Sequence, residues 1–364
     1  MDKPLRVGVI GCGGIAQMMH LPFLFERPDL FEVKGLCDCN RAVLEAVGRQ
    51  FRCNALFDDV SELLKTDIEA VLILSSGSHK DLVIQAAKAS KHIFVEKPLA
   101  ENLEEVMAIA EAVRNANVVL MVGYHKRYDP GYRLAREQVR ALKDLRFVRA
   151  EILHPVDAQA RTHYYLHPPI DEATLQRLHD ESKDGLLEIA GTSQTVEKIV
   201  GSNAPTERRV ATFLLFNSVI HDVNALRGIL GEPRDVLFAD FYRNGRVIHV
   251  VLKWTELLHG TITWVYLPGL RHYKEELLFL SPEARVSLIF PSPYYRHFPT
   301  PVVVESMEGS VFSEKRCIVS YDEAFRLELH HFYDCVRKGT KCETGLEDAI
   351  ADTILLEKIA TFGL

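Results

Sequence analysis

A short aliphatic stretch, Val7 to Ile10, runs straight into Gly11-Cys12-Gly13-Gly14-Ile15-Ala16, and Gln17 to Leu24 continues as a helix-forming segment. This strand–turn–helix order restricts the fold more than any other feature of the chain. Each small residue of the GxGxxA turn has a physical task. Gly11 permits the tight turn, Gly13 lets backbone approach a pyrophosphate, and Ala16 lets helix and strand pack closely. The helix N-terminus then offers free N–H groups and the positive end of its dipole to phosphate. Gly11, Gly13, Gly14 and Ile15 are therefore candidate cofactor-binding residues.

The following segments repeat the theme. Glu32 to Cys37 reads as a second strand and ends at Asp38. A carboxylate there accepts both ribose hydroxyls of an adenosine and repels a 2′-phosphate, which favours NAD; Arg41, close behind, keeps NADP possible. Ala70 to Leu74, His92 to Val95 and Val118 to Val122 are almost wholly apolar, as strands covered on both faces must be. Helix-forming stretches separate them: Arg41 to Phe51, Ser61 to Lys65, Lys80 to Ser90 and Leu103 to Asn115. Such alternation means βαβ units and a parallel sheet. In the loop Ser75-Ser76-Gly77-Ser78-His79, Ser75 and Ser76 are candidates to line the ribose and nicotinamide side. His79 belongs either to that lining or to the first turn of the next helix.

The fourth of these strands closes in Val95-Glu96-Lys97-Pro98-Leu99. Pro98 cannot donate to a ladder and keeps Lys97 out of helical geometry. Lys97 thus sits just past the carboxyl end of a strand, where open α/β sheets bind ligands. A partly desolvated lysine there suits proton transfer, against the plainer reading of a solvated strand-end lysine. After the fifth strand, Gly123-Tyr124-His125-Lys126-Arg127-Tyr128-Asp129-Pro130 is dense in polar and aromatic residues. A domain boundary is expected here, with residues 1–124 forming a dinucleotide-binding domain and 125–364 a second domain. Tyr124 is a candidate for substrate contact and Arg127 for cofactor contact; the alternative is a solvated hinge.

A chain of 364 residues suffices for two domains, and 47% apolar with 26% charged residues can build ordinary cores. A net charge of −7 argues against nucleic acid or anionic membrane as a partner. No apolar run approaches the roughly 18 residues of a membrane span. Met1-Asp2-Lys3-Pro4-Leu5-Arg6 carries no signal-peptide pattern, and the seven cysteines form no CxxC pair. Reduced thiols and a cytoplasmic location are expected. Cys37 and Cys39 flank Asp38 at the wrong spacing for a zinc knuckle, and no metal centre is expected.

On these residues the chain resembles the Gfo/Idh/MocA oxidoreductases, the group of glucose-fructose oxidoreductase and inositol 2-dehydrogenase. The matching pieces are Gly11 to Ala16, Asp38, the Ser75 to His79 loop, Glu96-Lys97-Pro98 and Gly123 to Pro130, in family order and spacing. The likeness resumes near His221 and again from Phe325 onward. It implies an N-terminal nicotinamide-binding Rossmann domain (α/β) and a C-terminal α+β domain with a large open, mostly antiparallel sheet. It further implies that Lys97 is the catalytic lysine, that Glu96 belongs to the cofactor site, and that substrates are sugars, cyclitols or their derivatives.

Phe147 to Leu153 opens the second half as a strand. From about 155 to 205 the pattern suggests a loop and a helical excursion, with a polar helix-like run from Asp171 to Lys183. The histidines and tyrosines of His154 to His167 fit no helical pair of metal ligands. His154 and Tyr164 are candidates to hydrogen-bond a polyhydroxylated substrate, against a plain surface loop. In Asn217-Ser218-Val219-Ile220-His221-Asp222-Val223-Asn224, residues Asn217, His221 and Asn224 share one helical face at i, i+4 and i+7. A face with two amides and an imidazole is costly to bury without polar partners, which several substrate hydroxyls would supply. The family resemblance makes His221 the catalytic histidine, although Asn217 and Asn224 stand where carboxylates are frequent. Strands dominate from Asp235 to Glu305, and two amphipathic helices close the chain. One face of that sheet needs cover, so a homodimer or homotetramer through the C-terminal sheet is expected.

Taken together, the expected activity is NAD-dependent hydride transfer between nicotinamide and a secondary hydroxyl of a sugar, cyclitol or sugar derivative, with Lys97 and His221 catalytic. The alternatives are an NAD-dependent glycoside-cleaving or eliminating enzyme with no net redox change, and a non-enzymatic dinucleotide-binding regulator.

Overall fold

The structure is a computed structural model that describes residues 3–169, 173, 176, 180 and 185–364. The chain forms two compact units. Unit 1 comprises Met1–His125, Tyr164–Pro169 and Phe325–Thr353; unit 2 comprises Lys126–His163, Ile170–Ala324 and Ile354–Leu364. No helix among the described residues is long and apolar enough to cross a membrane.

Unit 1 is built on a six-stranded sheet in the order β3-β2-β1-β4-β5-β6, where β1 is Leu5–Ile10, β2 Phe31–Cys37, β3 Leu56–Phe57, β4 Ala70–Ile73, β5 His92–Glu96 and β6 Leu120–Gly123. Every pairing is parallel. All four residues of β4 are buried, as helices on both faces require. Those helices start where short polar side chains catch free N–H groups. Asn40 caps α2 (Arg41–Phe51), Asp59 caps α3 (Val60–Leu64) and Asn102 caps α5 (Leu103–Ala116). α2 and α5 end on left-handed Arg52 and Asn117. The short β3 lies outside the five strands expected from sequence, because two residues leave no periodicity to read. The expected helix Gln17 to Leu24 is a wide π-helical turn, Ala16–His20, followed by α1 (Leu21–Glu26).

The segment Phe325–Thr353 clusters with unit 1 rather than with the second domain, where the sequence placed it. The helix Ala324–Lys338 seats Phe332 against Phe94 and Tyr333 against Phe31, and Arg337 pairs with Glu69 at 2.8 Å. The division between units falls inside the final helix, Leu346–Ala360. Residues Tyr164–Pro169 also cluster with unit 1. There, Gln17 donates from Nε2 to the His167 carbonyl at 2.7 Å and accepts the His167 N–H at 2.8 Å.

Unit 2 carries an eight-stranded sheet in the order β14-β13-β12-β11-β7-β10-β9-β8. In chain order the strands are β7 Phe147–His154, β8 Asp235–Tyr242, β9 Val247–Lys253, β10 His259–Tyr266, β11 Lys274–Leu280, β12 Ala284–Phe290, β13 Val302–Glu308 and β14 Val311–Cys317. All pairings are antiparallel except β7 with β10. Burial alternates along β7, β10 and β11, so one face forms a core that includes Ile152, Trp264 and Phe279. The helix Pro130–Ala141, with proline at its first turn and Asp129 as its cap, packs on β12 and β13. Gly131 admits this contact, since a Cβ there would lie 2.2 Å from the Thr300 carbonyl. The excursion near 155–205 contains helices Asp157–Arg161, Leu186–Thr192 and Gln194–Val200; most of the polar run Asp171 to Lys183 lies outside the described residues.

Candidate active site

The carboxyl ends of β1, β2, β4 and β5 collect the cofactor candidates of unit 1. Gly11 follows β1 at φ +93°, and a Cβ there would meet the Ser75 backbone N at 2.5 Å, so only glycine fits. Gly13 has open space where a Cβ would stand. Asp38, just past β2, accepts the Cys12 N–H at 2.7 Å through one oxygen and the Asn40 N–H at 2.8 Å through the other. Because Cys12 is committed to Asp38, the groups left to face an anion are the first-turn N–H groups of Gly13, Gly14 and Ile15, which lack helical acceptors. Ser75 keeps a buried hydroxyl with no hydrogen-bond partner among the described residues. An open glycine, an unsatisfied hydroxyl and a strand-end carboxylate with spare lone pairs together fit a dinucleotide. Ser76 is in the same loop. Arg41 lies outside this set, largely exposed and paired with Glu45 at 2.8 Å.

His79 takes the second of its two expected places. It is buried at the N-cap of α4 (Lys80–Lys88), with Nδ1 2.8 Å from the Pro98 carbonyl and Nε2 2.7 Å from the Ser75 carbonyl. It braces the Ser75 loop against the residue after Lys97. Lys97 is half-buried and follows the last residue of β5. Its N–H lies 3.2 Å from Oε2 of Glu96. The other Glu96 oxygen bonds Nε2 of His20 at 2.7 Å. His20, Glu96 and Glu328 bring one donor atom each within 4.8 Å of one another, and all three are buried. Both oxygens of Glu328 lack hydrogen-bond partners among the described residues. Burial, aided by the Glu96 charge, pushes the Glu328 carboxyl well above its usual range. The sequence reading missed His20 and Glu328; they are 76 and 232 positions from Glu96, and nothing local links them. Tyr124 is buried and Tyr164 half-buried, both in unit 1.

Unit 2 holds the remaining candidates. Here the helix Thr206–Leu214 passes through a π-helical turn, Leu215–Val219, into Ile220–Leu230. The wide turn contains Asn217, while His221 and Asn224 lie three apart in the regular helix that follows. Asn217 donates to the Phe213 carbonyl at 2.9 Å. His221 is half-buried. Asn224 is buried and receives Arg127, whose guanidinium reaches its carbonyl at 3.2 Å and its Oδ1 at 3.4 Å. The guanidinium of Arg127 also lies against Gly228, where a Cβ would come within 2.4 Å of it. His154, at the end of β7, lies 5.5 Å from the Tyr273 ring and 3.6 Å from the Asp157 carboxylate.

A buried charge cluster of unit 2 was not among the sequence candidates. Lys126 Nζ donates to Asp222 at 3.0 Å and to Glu275 at 2.5 Å, above the Phe290 ring. The Tyr273 hydroxyl donates to the second Glu275 oxygen. Burial alone would lower Lys126, but Asp222 and Glu275 outweigh it and hold the ammonium above its usual range. Burial, with Glu275 adding to it, pushes Asp222 well up despite Lys126. Burial, with Glu275 and Asp222 adding to it, pushes the Tyr273 phenol well up as well.

Residues 5–124 match the family model described as "Oxidoreductase family, NAD-binding Rossmann fold". Over 362 residues, 98% of this chain and 92% of the other, the sequence is 32% identical to scyllo-inositol 2-dehydrogenase (NAD(+)) from Bacillus subtilis (strain 168). The chain is a Gfo/Idh/MocA oxidoreductase. Some other relatives align only in part. Myo-inositol 2-dehydrogenase from Thermotoga maritima is 34% identical over 137 residues, and the matched part spans 40% of that protein. Among solved structures, KijD10, a 3-ketoreductase from Actinomadura kijaniata in complex with NADP and TDP-benzene, superposes with a TM-score of 0.71 at 17% identity. That comparison covers 98% of this chain and 96% of the other, and shows that the Gfo/Idh/MocA fold extends through both units.

Proposed function

We propose that this oxidoreductase is an NAD-dependent dehydrogenase that moves hydride between the nicotinamide and a secondary hydroxyl of a sugar, cyclitol or sugar derivative. The observation that carries the reading is the sheet order β1-β4-β5, which lines up the glycine turn, the Ser75 loop and Lys97 along one edge. Adjacent strands lie about 4.8 Å apart, so Lys97 stands about 10 Å across the sheet from the turn. The relative named scyllo-inositol 2-dehydrogenase (NAD(+)) supports both the cofactor and the cyclitol class.

Bound NAD supplies the hydride acceptor. Gly13 to Ile15 hold the pyrophosphate by backbone, and Asp38 holds the adenosine ribose and selects against a 2′-phosphate. Lys97 takes the hydroxyl proton and steadies the developing alkoxide. Glu96, anchored by His20, fixes the strand end that presents Lys97. His221 is the second proton-handling group, and Asn217, Tyr164 and His154 belong to substrate recognition. The chain associates with itself through the sheet of unit 2, which exposes Phe238, Met307 and Phe312. Its seven free cysteines suit the reducing cytoplasm.

The test is a panel of sugars and cyclitols with NAD or NADP, read as absorbance of the reduced cofactor. On the best substrate, Lys97→Met should lower kcat by about 10²–10⁴-fold while NAD affinity stays within a factor of a few. Unchanged turnover in the variant would overturn the role of Lys97. Stoichiometric accumulation of NADH excludes a cycle without net redox change.

A further inference from the structure

A second group of chemically apt side chains lies away from the cofactor edge. His331 and Cys335 are four residues apart on the helix Ala324–Lys338, so they share a face. The chain turns at Gly339, φ +66°, and brings Cys342 back to them. One donor atom from each of His331, Cys335 and Cys342 lies within 4.8 Å of the others. Zinc bonds of about 2.3 Å to sulfur and about 2.0 Å to nitrogen give tetrahedral edges of about 3.5–3.8 Å. The donors therefore need to close by about an ångström at most. Cys335 is buried, while His331 and Cys342 are half-buried.

We propose that His331, Cys335 and Cys342 form a binding site for a zinc ion. The donor set is soft to borderline, and a helical pair four apart plus one donor from the next loop is a frequent way to present zinc ligands. Two thiolates and a neutral imidazole balance the dication, so binding leaves no uncompensated charge and releases the thiol protons. Side-chain hydrogen bonds already join Cys335 to Cys342 and to His331. The Glu343 N–H lies 3.3 Å from Nε2 of His331, and coordination of zinc by the neutral imidazole takes the place of that bond. A disulfide would use the two sulfurs alone, and the histidine on the same face would then have no part. Just beyond Cys342, the Thr344 hydroxyl donates to the Val122 carbonyl at 2.7 Å, and the Val122 N–H donates to Thr344 at 2.8 Å. Zinc here fastens the loop that closes onto the end of β6.

The test uses the full chain, kept reduced. After incubation with zinc and gel filtration, elemental analysis should give one zinc per chain. Replacing zinc with cobalt should give a thiolate-to-metal charge-transfer band. The half-exposed Cys342→Ser should lose both signals while its circular dichroism and NAD binding match the wild type, and chelation should lower the wild-type melting temperature. Absence of retained zinc and of the cobalt band in reduced wild type would overturn the site, whatever the variants do. Equal retention by the double variant Cys335→Ser, Cys342→Ser would also overturn it, because the metal would then sit elsewhere, for example at the exposed Cys39.

Discussion

The two units hold their ionisable groups by opposite means. In unit 1, backbone does most of the work: Asp38 is caught by two N–H groups, His79 lies between two carbonyls, and the turn at Gly11 is set by φ. In unit 2, side chains hold one another: Lys126, Asp222, Glu275 and Tyr273 satisfy each other in a buried cluster. A site made by backbone is written in a few adjacent residues. A cluster made by side chains is assembled from positions 96 and 149 apart. The first can be read from a single stretch of sequence; the second needs the fold.

This contrast can be broken most forcefully at Lys126. Lys126→Met leaves two buried carboxyl groups without their cation and should cost about 3–5 kcal/mol in urea unfolding. A cost below about 1 kcal/mol would mean that the cluster does not frame unit 2. Next comes Gly11→Ala, which forces an alanine into φ +93° and its Cβ onto Ser75. The strain should cost about 1–3 kcal/mol and weaken NAD binding by at least about tenfold, seen by calorimetry. Full NAD affinity in that variant would show that the turn does not need its glycine.

The smallest effect sharpens the comparison at Glu328, a buried unit 1 group whose carboxyl has no backbone partner among the described residues. Burial raises the pKa of Glu328, so the folded chain keeps a proton that the unfolded chain releases above about pH 4.3. The stabilising contribution of this residue is therefore complete in acid and declines as pH rises towards the folded value, by at most about 1.4 kcal/mol per pH unit. Glu328→Gln keeps the shape of the neutral acid. It should match wild type near pH 4 and gain about 1 kcal/mol on it between pH 5 and pH 6, measured by thermal unfolding. A stability difference that is flat with pH would show that Glu328 is ionised in the folded chain.

The same contrast explains what was legible in the sequence. Gly11 to Ala16, Asp38 and Lys97 announce themselves because a turn or strand end needs those residues at that place. The parallel sheet followed from its alternating segments, whereas β3, only two residues long, left no trace. Asn217, His221 and Asn224 were grouped by regular helical spacing. Of the three, Asn217 lies in the π-helical turn, and Arg127, distant in sequence, reaches Asn224. His20, Glu328, Lys126 and Glu275 carry no local signature, so their partnerships emerged only from packing. The cysteines looked scattered because Cys335 and Cys342 are brought together by a chain reversal, not by a short motif.

Wide helical turns occur beside both neighbourhoods of interest, at Ala16–His20 and at Leu215–Val219. Each can be viewed as a single extra residue absorbed without making a loop. Removing one residue from the second would rotate the helix beyond it by about 100° relative to the part before it. The imidazole at 221 would swing to another side of its helix, although every residue from Ile220 onward would remain in the chain. The history of this helix is therefore better followed by matching its rotational phase than by counting positions.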